Sequence, residues 1–262
     1  MPTTLVRGLG SRILVLNPNS SSTMTDGMKT VLNNKRITNL AWTQSTEVYT
    51  YTGPSSCPAS INDGDDIQKS TDAVLADFEA AGRYHGIVVA CFSVHPLVPK
   101  LQLSSGPSCA VTGIFEASVL TAISLLNPGQ KWGIVSTGKF WEKHLADGVK
   151  AFLGADVKDG NTKFAGVEST GLNASDFHHG VDPAIVGQKM KEATTRLLNA
   201  GEVHVIVMGC AGMAGLEDII REAANDKCGD EFAHSTLHVI DGVRAGVMQV
   251  DNMIRNQRLR RG

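Results

Sequence analysis

VIVMGCAGM, residues Val205–Met213, decides how the chain is read. An apolar, β-branched run ends at Gly209, and Cys210 follows among small residues only. Cysteine behaves as a small hydrophobe, so a lone thiol at such a place is more often packing than chemistry. What matters is whether Cys210 has a counterpart. VVACF supplies one, ending a second apolar run at Cys91.

The two cysteines stand 119 residues apart, and the same displacement relates ILVLN from Ile13 to WGIVS from Trp132. DGMKTVL from Asp26 matches DGVKAFL from Asp147 at 121, and VTGIFEA matches VIDGVRA, with Gly113 on Gly242, at 129. Four landmarks in one order at a nearly constant displacement mark an internal duplication.

Outward from these landmarks, short β-branched runs alternate with helical patterns, the signature of parallel βαβ units. Arg12–Asn17, Gly86–Cys91, Lys131–Thr137, the run VHVIVMGC and the run LHVID read as strands. Met24, Met28, Val31 and Leu32 fall on one helical face after a serine- and threonine-rich start. A helix carrying Val74, Phe78 and Ala81 stops at Gly82, and another runs from Asp182-Pro183 to Gly201 with Val186, Met190, Ala193 and Leu197 inward. Between Lys158 and Val181 only a short strand, Phe164–Val167, is expected. The fold class is therefore α/β, with two pseudo-twofold-related lobes of parallel sheet: residues 12–113 plus 242–262, and residues 114–241. Ligands bind outside the carboxyl ends of such strands. Both thiols would stand there, on opposite sides of one interlobe cleft.

Composition narrows the function. A net charge of −2 does not suit a nucleic-acid backbone or an anionic membrane, and no apolar run approaches a membrane span. The start MPTTLVRGLGSR lacks the apolar core of a secretory signal, though it is arginine-bearing and acid-free, so an organelle-targeting reading stays open beside a cytoplasmic one. Five cysteines with no CxxC pair argue against a disulfide framework or a zinc site, and no GxGxxG or P-loop pattern is present. No cofactor and no metal is expected. Homo-oligomerisation is left open.

Two facing thiols can invert a stereocentre. A thiolate removes a proton from a carbon next to a carbonyl, and the opposite thiol returns one to the other face. Each cysteine is expected to turn into a helix, whose N-terminus and free N–H groups would favour the thiolate. Negative charge on the intermediate's oxygen needs preorganised donors. The backbone amides of Phe92, Ser93, Ala211 and Gly212 are candidates, with the turns NPNSSS (Asn17–Ser22, hence Asn17, Asn19 and Ser20) and STG (Ser136–Gly138, hence Thr137).

ILVLNPNSSSTMT, VVACFSVHPL, VSTG and VMGCAGM resemble the aspartate/glutamate/hydantoin racemase superfamily, most closely its hydantoin and allantoin racemase branch with fungal relatives. The resemblance spans Ile13 to about Val250. It implies two pseudo-symmetric α/β lobes, Cys91 and Cys210 as paired acid/bases, and substrate contacts from Asn17, Asn19 and Thr137. It also implies a variable loop over the pocket, here YTGPSSCPASI (Tyr51–Ile61). One departure is Val94, where the resemblance leads one to expect an acid. Amino-acid racemases of this kind carry an acidic-serine first loop and CTH at the second cysteine, whereas this chain has NPNS and CAGM. Neutral amides suit a cyclic ureide such as a hydantoin or allantoin, whose carbon proton is also more acidic. The alternatives are an amino-acid racemase, a maleate isomerase-like enzyme, which would need cationic pocket loops, and a non-catalytic ligand-binding relative.

The remaining candidates read as structural. Cys57, Cys109 and Cys228 have no repeat partner, with Cys109 expected to pack beside Gly113. His95 invites a Cys-His pair with Cys91, but no acyl-transfer motif accompanies it. The pair His178-His179 has no carboxylate or cysteine at ligand spacing. Glu116 reads as a contact with a helix dipole, or else as a pocket-lining acceptor.

Overall fold

A computed structural model describes residues 10–34, 46–78, 83–154, 163–178 and 180–260. Two four-stranded parallel sheets form its frame. The first has the order β2-β1-β3-β4, from β1 (Ser11–Asn17), β2 (Thr46–Thr52), β3 (Gly86–Val89) and β4 (Ala110–Gly113). The second repeats it as β6-β5-β7-β8, from β5 (Lys131–Ser136), β6 (Phe164–Ser169), β7 (Val203–Gly209) and β8 (His238–Asp241). Register repeats as well: Ile13 pairs with Gly86 in one sheet and Trp132 with Val205 in the other. That is the 119-residue displacement read from the sequence.

The last landmark needs a correction. Val89 pairs with Gly113 while Met208 pairs with Asp241, and Gly113 and Asp241 are the caps of the helices that follow. Gly113 therefore matches Asp241 rather than Gly242. The glycine-to-glycine match is off by one residue because each cap solves the same problem with a different side chain.

Eight α-helices complete the described residues: α1 (Ser22–Leu32), α2 (Gly64–Asp77), α3 (Leu97–Ser104), α4 (Ile114–Ser124), α5 (Phe140–Leu153), α6 (Pro183–Leu198), α7 (Glu217–Cys228) and α8 (Gly242–Leu259). Local chemistry sets their starts. The Ser21 side chain caps α1 by accepting the Met24 N–H, and Asp182 caps α6 ahead of Pro183 by accepting from Ala184. Met24, Met28, Val31 and Leu32 are buried as a face of α1, and Val186, Met190, Ala193 and Leu197 as a face of α6. α2 ends at Asp77, with Phe78 as its cap, whereas Ala81 and Gly82 lie outside the described residues.

α4 and α8 hold the halves together. α8 packs over β1, β3 and β4 of the first sheet, α4 reaches β7 and β8 of the second, and the two helices pack on each other. The approach of α8 is close: a Cβ on Gly246 would stand 2.5 Å from Val88 Cγ1. The inner strands β1, β3, β5 and β7 are buried on both faces, which explains their near-continuous apolar runs. Ile13, Val15, Val88, Trp132, Ile134, Val205 and Val207 point into one core shared by both lobes. Their alternates split: Leu14, Leu16, Ile87 and Val89 pack on the outer face of the first lobe, Val135, Ile206 and Met208 on that of the second.

Strand bounds also differ from the expectation. β3 stops at Val89, short of Cys91, although the Ala90 N–H still donates to the Leu16 carbonyl at 2.8 Å. β6 extends two residues beyond Val167. β2 is a strand beyond those expected, and it takes in Tyr51 and Thr52 from the expected loop. No described helix is long and apolar enough to cross a membrane.

Candidate active site

The four central strands β1, β3, β5 and β7 deliver their carboxyl-end loops to one cavity between the lobes. Cys91 and Cys210 both line it, with Asn19, Met24, Ile61, Ala90, Phe92, Thr137, Trp141, Ala174, Gly209, Ala211 and Gly212. The space between these residues is about 360 Å³, counting the open solvent at its mouth. No lysine, arginine or carboxylate is among these residues. Ile61 is the contribution of the Tyr51–Ile61 loop.

The first loop is held rigidly. Asn17, 1 % exposed, lies behind the lining and donates from Nδ2 to Asn19 Oδ1 at 2.9 Å and Thr25 Oγ1 at 3.0 Å. Ser20 also lies outside the lining and ties the loop to the next segment: its Oγ donates to the Cys57 carbonyl and its N–H to that of Pro58, both at 3.0 Å. Asn19 faces the cavity, and its Nδ2 donates to Met24 Sδ at 3.1 Å. Thioether sulfur is a weak acceptor, so this amide loses little by turning to a better one. On the other side, the Thr137 carbonyl accepts the Gly171 N–H at 2.9 Å, which fixes the turn after β5.

Each sulfur has a close polar partner two residues downstream. Cys91 Sγ and Ser93 Oγ are 3.4 Å apart, and Ser93 is fully buried behind the lining. Gly212 N–H donates to Cys210 Sγ at 3.3 Å. Neither cysteine heads an α-helix, however. Cys210 caps a three-residue 3-10 turn, Ala211–Met213, and a bend separates Cys91 from α3. The expected lowering of the thiol pKa values is therefore overturned. Burial pushes Cys91 up to about 12, against the Ser93 hydrogen bond, with Cys210 and Glu116 adding to the rise. Burial likewise pushes Cys210 up to about 11, against the N–H groups of Gly212 and Met213. A short turn lacks the aligned dipoles that could offset the loss of hydration.

The other candidates fall into place around this site. His95 is buried with Nε2 3.1 Å from Ser70 Oγ, accepts the Leu97 N–H on Nδ1, and burial lowers its pKa to about 3. It is a neutral core histidine facing away from chemistry. Val94 is 46 % exposed and lies against Gly148 of α5, outside the lining. Cys109 packs with the outer cluster of the first lobe, at the opposite end of β4 from Gly113. Among the described residues no group of side chains could hold a metal, and His179 lies outside them. Glu116, third residue of α4, folds back over Gly113 and takes the backbone N–H groups of Gly113 and of itself. Burial raises its carboxyl to about 6.

Residues 13–250 match the family described as Asp/Glu/Hydantoin racemase. An uncharacterized protein of Schizosaccharomyces pombe is 32 % identical, over 93 % of this chain and 92 % of its own. A hydantoin racemase of Paenarthrobacter aurescens is 28 % identical, over 78 % and 79 % of the two chains. Among solved structures, the allantoin racemase from Klebsiella pneumoniae superposes with a TM-score of 0.73 at 24 % identity, covering 94 % of this chain and 89 % of that one.

Proposed function

Because this chain belongs to the Asp/Glu/hydantoin racemase family, we propose that it is a cofactor-independent racemase of 5-substituted hydantoins, allantoin included, with Cys91 and Cys210 exchanging a proton with the ring carbon from opposite faces. One observation carries the reading. Two thiols at duplicated positions, one from each lobe, line a single small cavity. Residues 12–113 plus 242–262 and residues 114–241 are the lobes that present them.

In this mechanism one sulfur, as thiolate, takes the proton on carbon, and the charge moves onto the neighbouring carbonyl oxygen. The other sulfur, still a thiol, protonates the carbon from the far side. Asn19 is the cheapest donor to redirect to that oxygen, since its amide rests on a thioether. Thr137 and the backbone amides of Phe92, Ala211 and Gly212 complete the polar wall. Asn17 and Ser20 act through the loop they brace, and Ser93 through Cys91. High thiol pKa values keep both groups protonated at rest and make the rare thiolate a stronger base.

Substrate class follows from the lining. A free amino acid presents a carboxylate and an ammonium group, and a dicarboxylate presents two anions. The cavity offers no charged side chain to either. A neutral ring of imide and urea groups asks only for amides, hydroxyls and N–H donors. The names of the Paenarthrobacter aurescens and Klebsiella pneumoniae proteins point the same way. All five cysteines are unpaired, which supports placement in a reducing compartment such as the cytoplasm.

The test is solvent deuterium exchange at the ring carbon, followed together with decay of optical rotation, on allantoin and alkyl hydantoins. Both signals are expected from the folded enzyme. Folded protein giving neither would remove the proposal.

A further inference from the structure

His178 closes the short turn Ala174–Phe177 in the second lobe, and its ring fills a slot that two glycines leave open. A Cβ on Gly27, in the middle of α1, would stand 3.1 Å from His178 Cε1, and a Cβ on Gly212 would stand 3.5 Å from Nε2. Glycine inside a helix costs about 1 kcal/mol relative to alanine, so Gly27 calls for a reason. Room for the imidazole is one. The same Cβ on Gly212 would lie 3.4 Å from Cys210 Sγ and 3.0 Å from the Ala174 carbonyl. Ring and sulfur therefore flank one glycine, at most about 7 Å apart, a span over which packing and charge both act in a dry site. His178 is not part of the cavity lining. It stands behind the turn that carries the donor to Cys210.

We propose that His178 is a positioning residue for Cys210, a wedge between α1 of the first lobe and the Ala211–Met213 turn of the second that keeps the Gly212 N–H on the sulfur. α1 and this turn are in contact, so the wedge also sets how the lobes meet behind the second thiol. Asp26 pairs with Lys29 at 2.8 Å on α1, and Asp176 accepts the Asn173 N–H. The influences on Cys210 are burial, which raises its pKa, and the Gly212 and Met213 N–H groups, which lower it. Loosening the wedge removes one of those donors and moves the thiol further up. Cys91 has Ser93 instead and is untouched.

The kinetic consequence rests on the racemase reading; the thiol consequence does not, so the experiment reads both. Iodoacetamide alkylation of the full chain is followed across pH, with Cys210 and Cys91 quantified separately by peptide mass spectrometry. In His178→Ala the rising limb of the Cys210 profile moves up by about half a pH unit or more. The Cys91 limb stays where it was, and His178→Gln, which refills the slot, recovers most of the shift. Gly27→Ala, which pushes on the ring from α1, moves Cys210 in the same sense and serves if His178→Ala does not fold. An unmoved Cys210 limb, or equal movement of both thiols, overturns the proposal. With a hydantoin deuterated at the ring carbon, His178→Ala raises the isotope effect in the one direction where Cys210 takes the proton. Equal change in both directions also overturns it. Wild-type protein that racemises no hydantoin defeats the functional reading alone, and alkylation still decides the role of His178.

Discussion

The first and second lobes solve the same problem with different atoms. Two residues beyond each thiol, the first lobe has a serine hydroxyl and the second a glycine N–H, at 3.4 and 3.3 Å from sulfur. A side chain at 212 would crowd the Ala174 carbonyl and the His178 ring, so only the backbone can donate there. At the helix that follows the last strand, the first lobe has a bare glycine cap with Glu116 folded over it. The second has Asp241 as the cap, its carboxylate accepting the Arg244 N–H at 2.8 Å. Duplication thus preserved the position of the thiol and let its support diverge. The thiols are partners with unequal surroundings, and Cys91 alone feels a carboxylate.

The largest expected effect breaks the pair. Cys91→Ser and Cys210→Ser should each lose racemisation by about 10³-fold or more, since a hydroxyl is a far weaker acid/base than a thiol here. Both variants should keep the far-UV circular dichroism of the parent. A variant retaining a tenth of the parent rate would reduce the pair to one working thiol.

A smaller effect tests their shared environment. Because burial raises both thiols far above neutrality, kcat/KM should climb about tenfold per pH unit between pH 7 and 9, the thiolate fraction rising at that rate. The sign is fixed by the direction of the shifts: raised pKa values leave the base form scarce at low pH. A plateau already present at pH 7.5 would mean that another group lowers one thiol.

Much of this arrangement was legible because it rests on local pattern. The 119-residue displacement, the buried strands and the two cysteines are carried by short motifs, and Ser21, Asp182 and Pro183 announce their helices. What escaped depends on the other lobe. Thr46–Thr52 is an edge strand with no fully buried residue, so its threonines and tyrosines carry little apolar signal. The thiol pKa values do not follow from the local turn, because burial outweighs it. Nothing in the string FHHG tells that His178 reaches α1. Asn17, Ser20 and Ser93 read as lining because they neighbour lining residues. Their side chains turn inward to brace the loops.

Ser93→Ala sharpens the contrast between the supports. Losing the hydroxyl removes the one interaction that lowers Cys91, so its pKa rises further. The rate should fall severalfold, in the direction that uses Cys91 as base, in keeping with the modest net worth of one hydrogen bond, about 1 kcal/mol. Gly212 has no such side chain to delete, so the corresponding lesion in the second lobe must come from behind, through His178. Equal slowing in both directions would erase the distinction between lobes.

The last effect concerns stability rather than rate. Glu116 is held at about 6 by burial, and one of its oxygens has no hydrogen-bond partner. A carboxyl whose folded pKa lies above its unfolded value favours the folded state below the unfolded pKa, and that contribution is lost as pH rises through about 6. At pH 8 the protein therefore folds against the cost of a buried charge, about 1–2 kcal/mol. Glu116→Gln keeps an oxygen for the Gly113 N–H and removes the charge. It should raise stability to urea at pH 8 by about that amount and leave it nearly unchanged at pH 4.5. Loss of stability at both pH values would show that the carboxylate's hydrogen bonds at the start of α4 outweigh its burial. The first lobe would then depend on its acid as a cap, just as the second depends on Asp241.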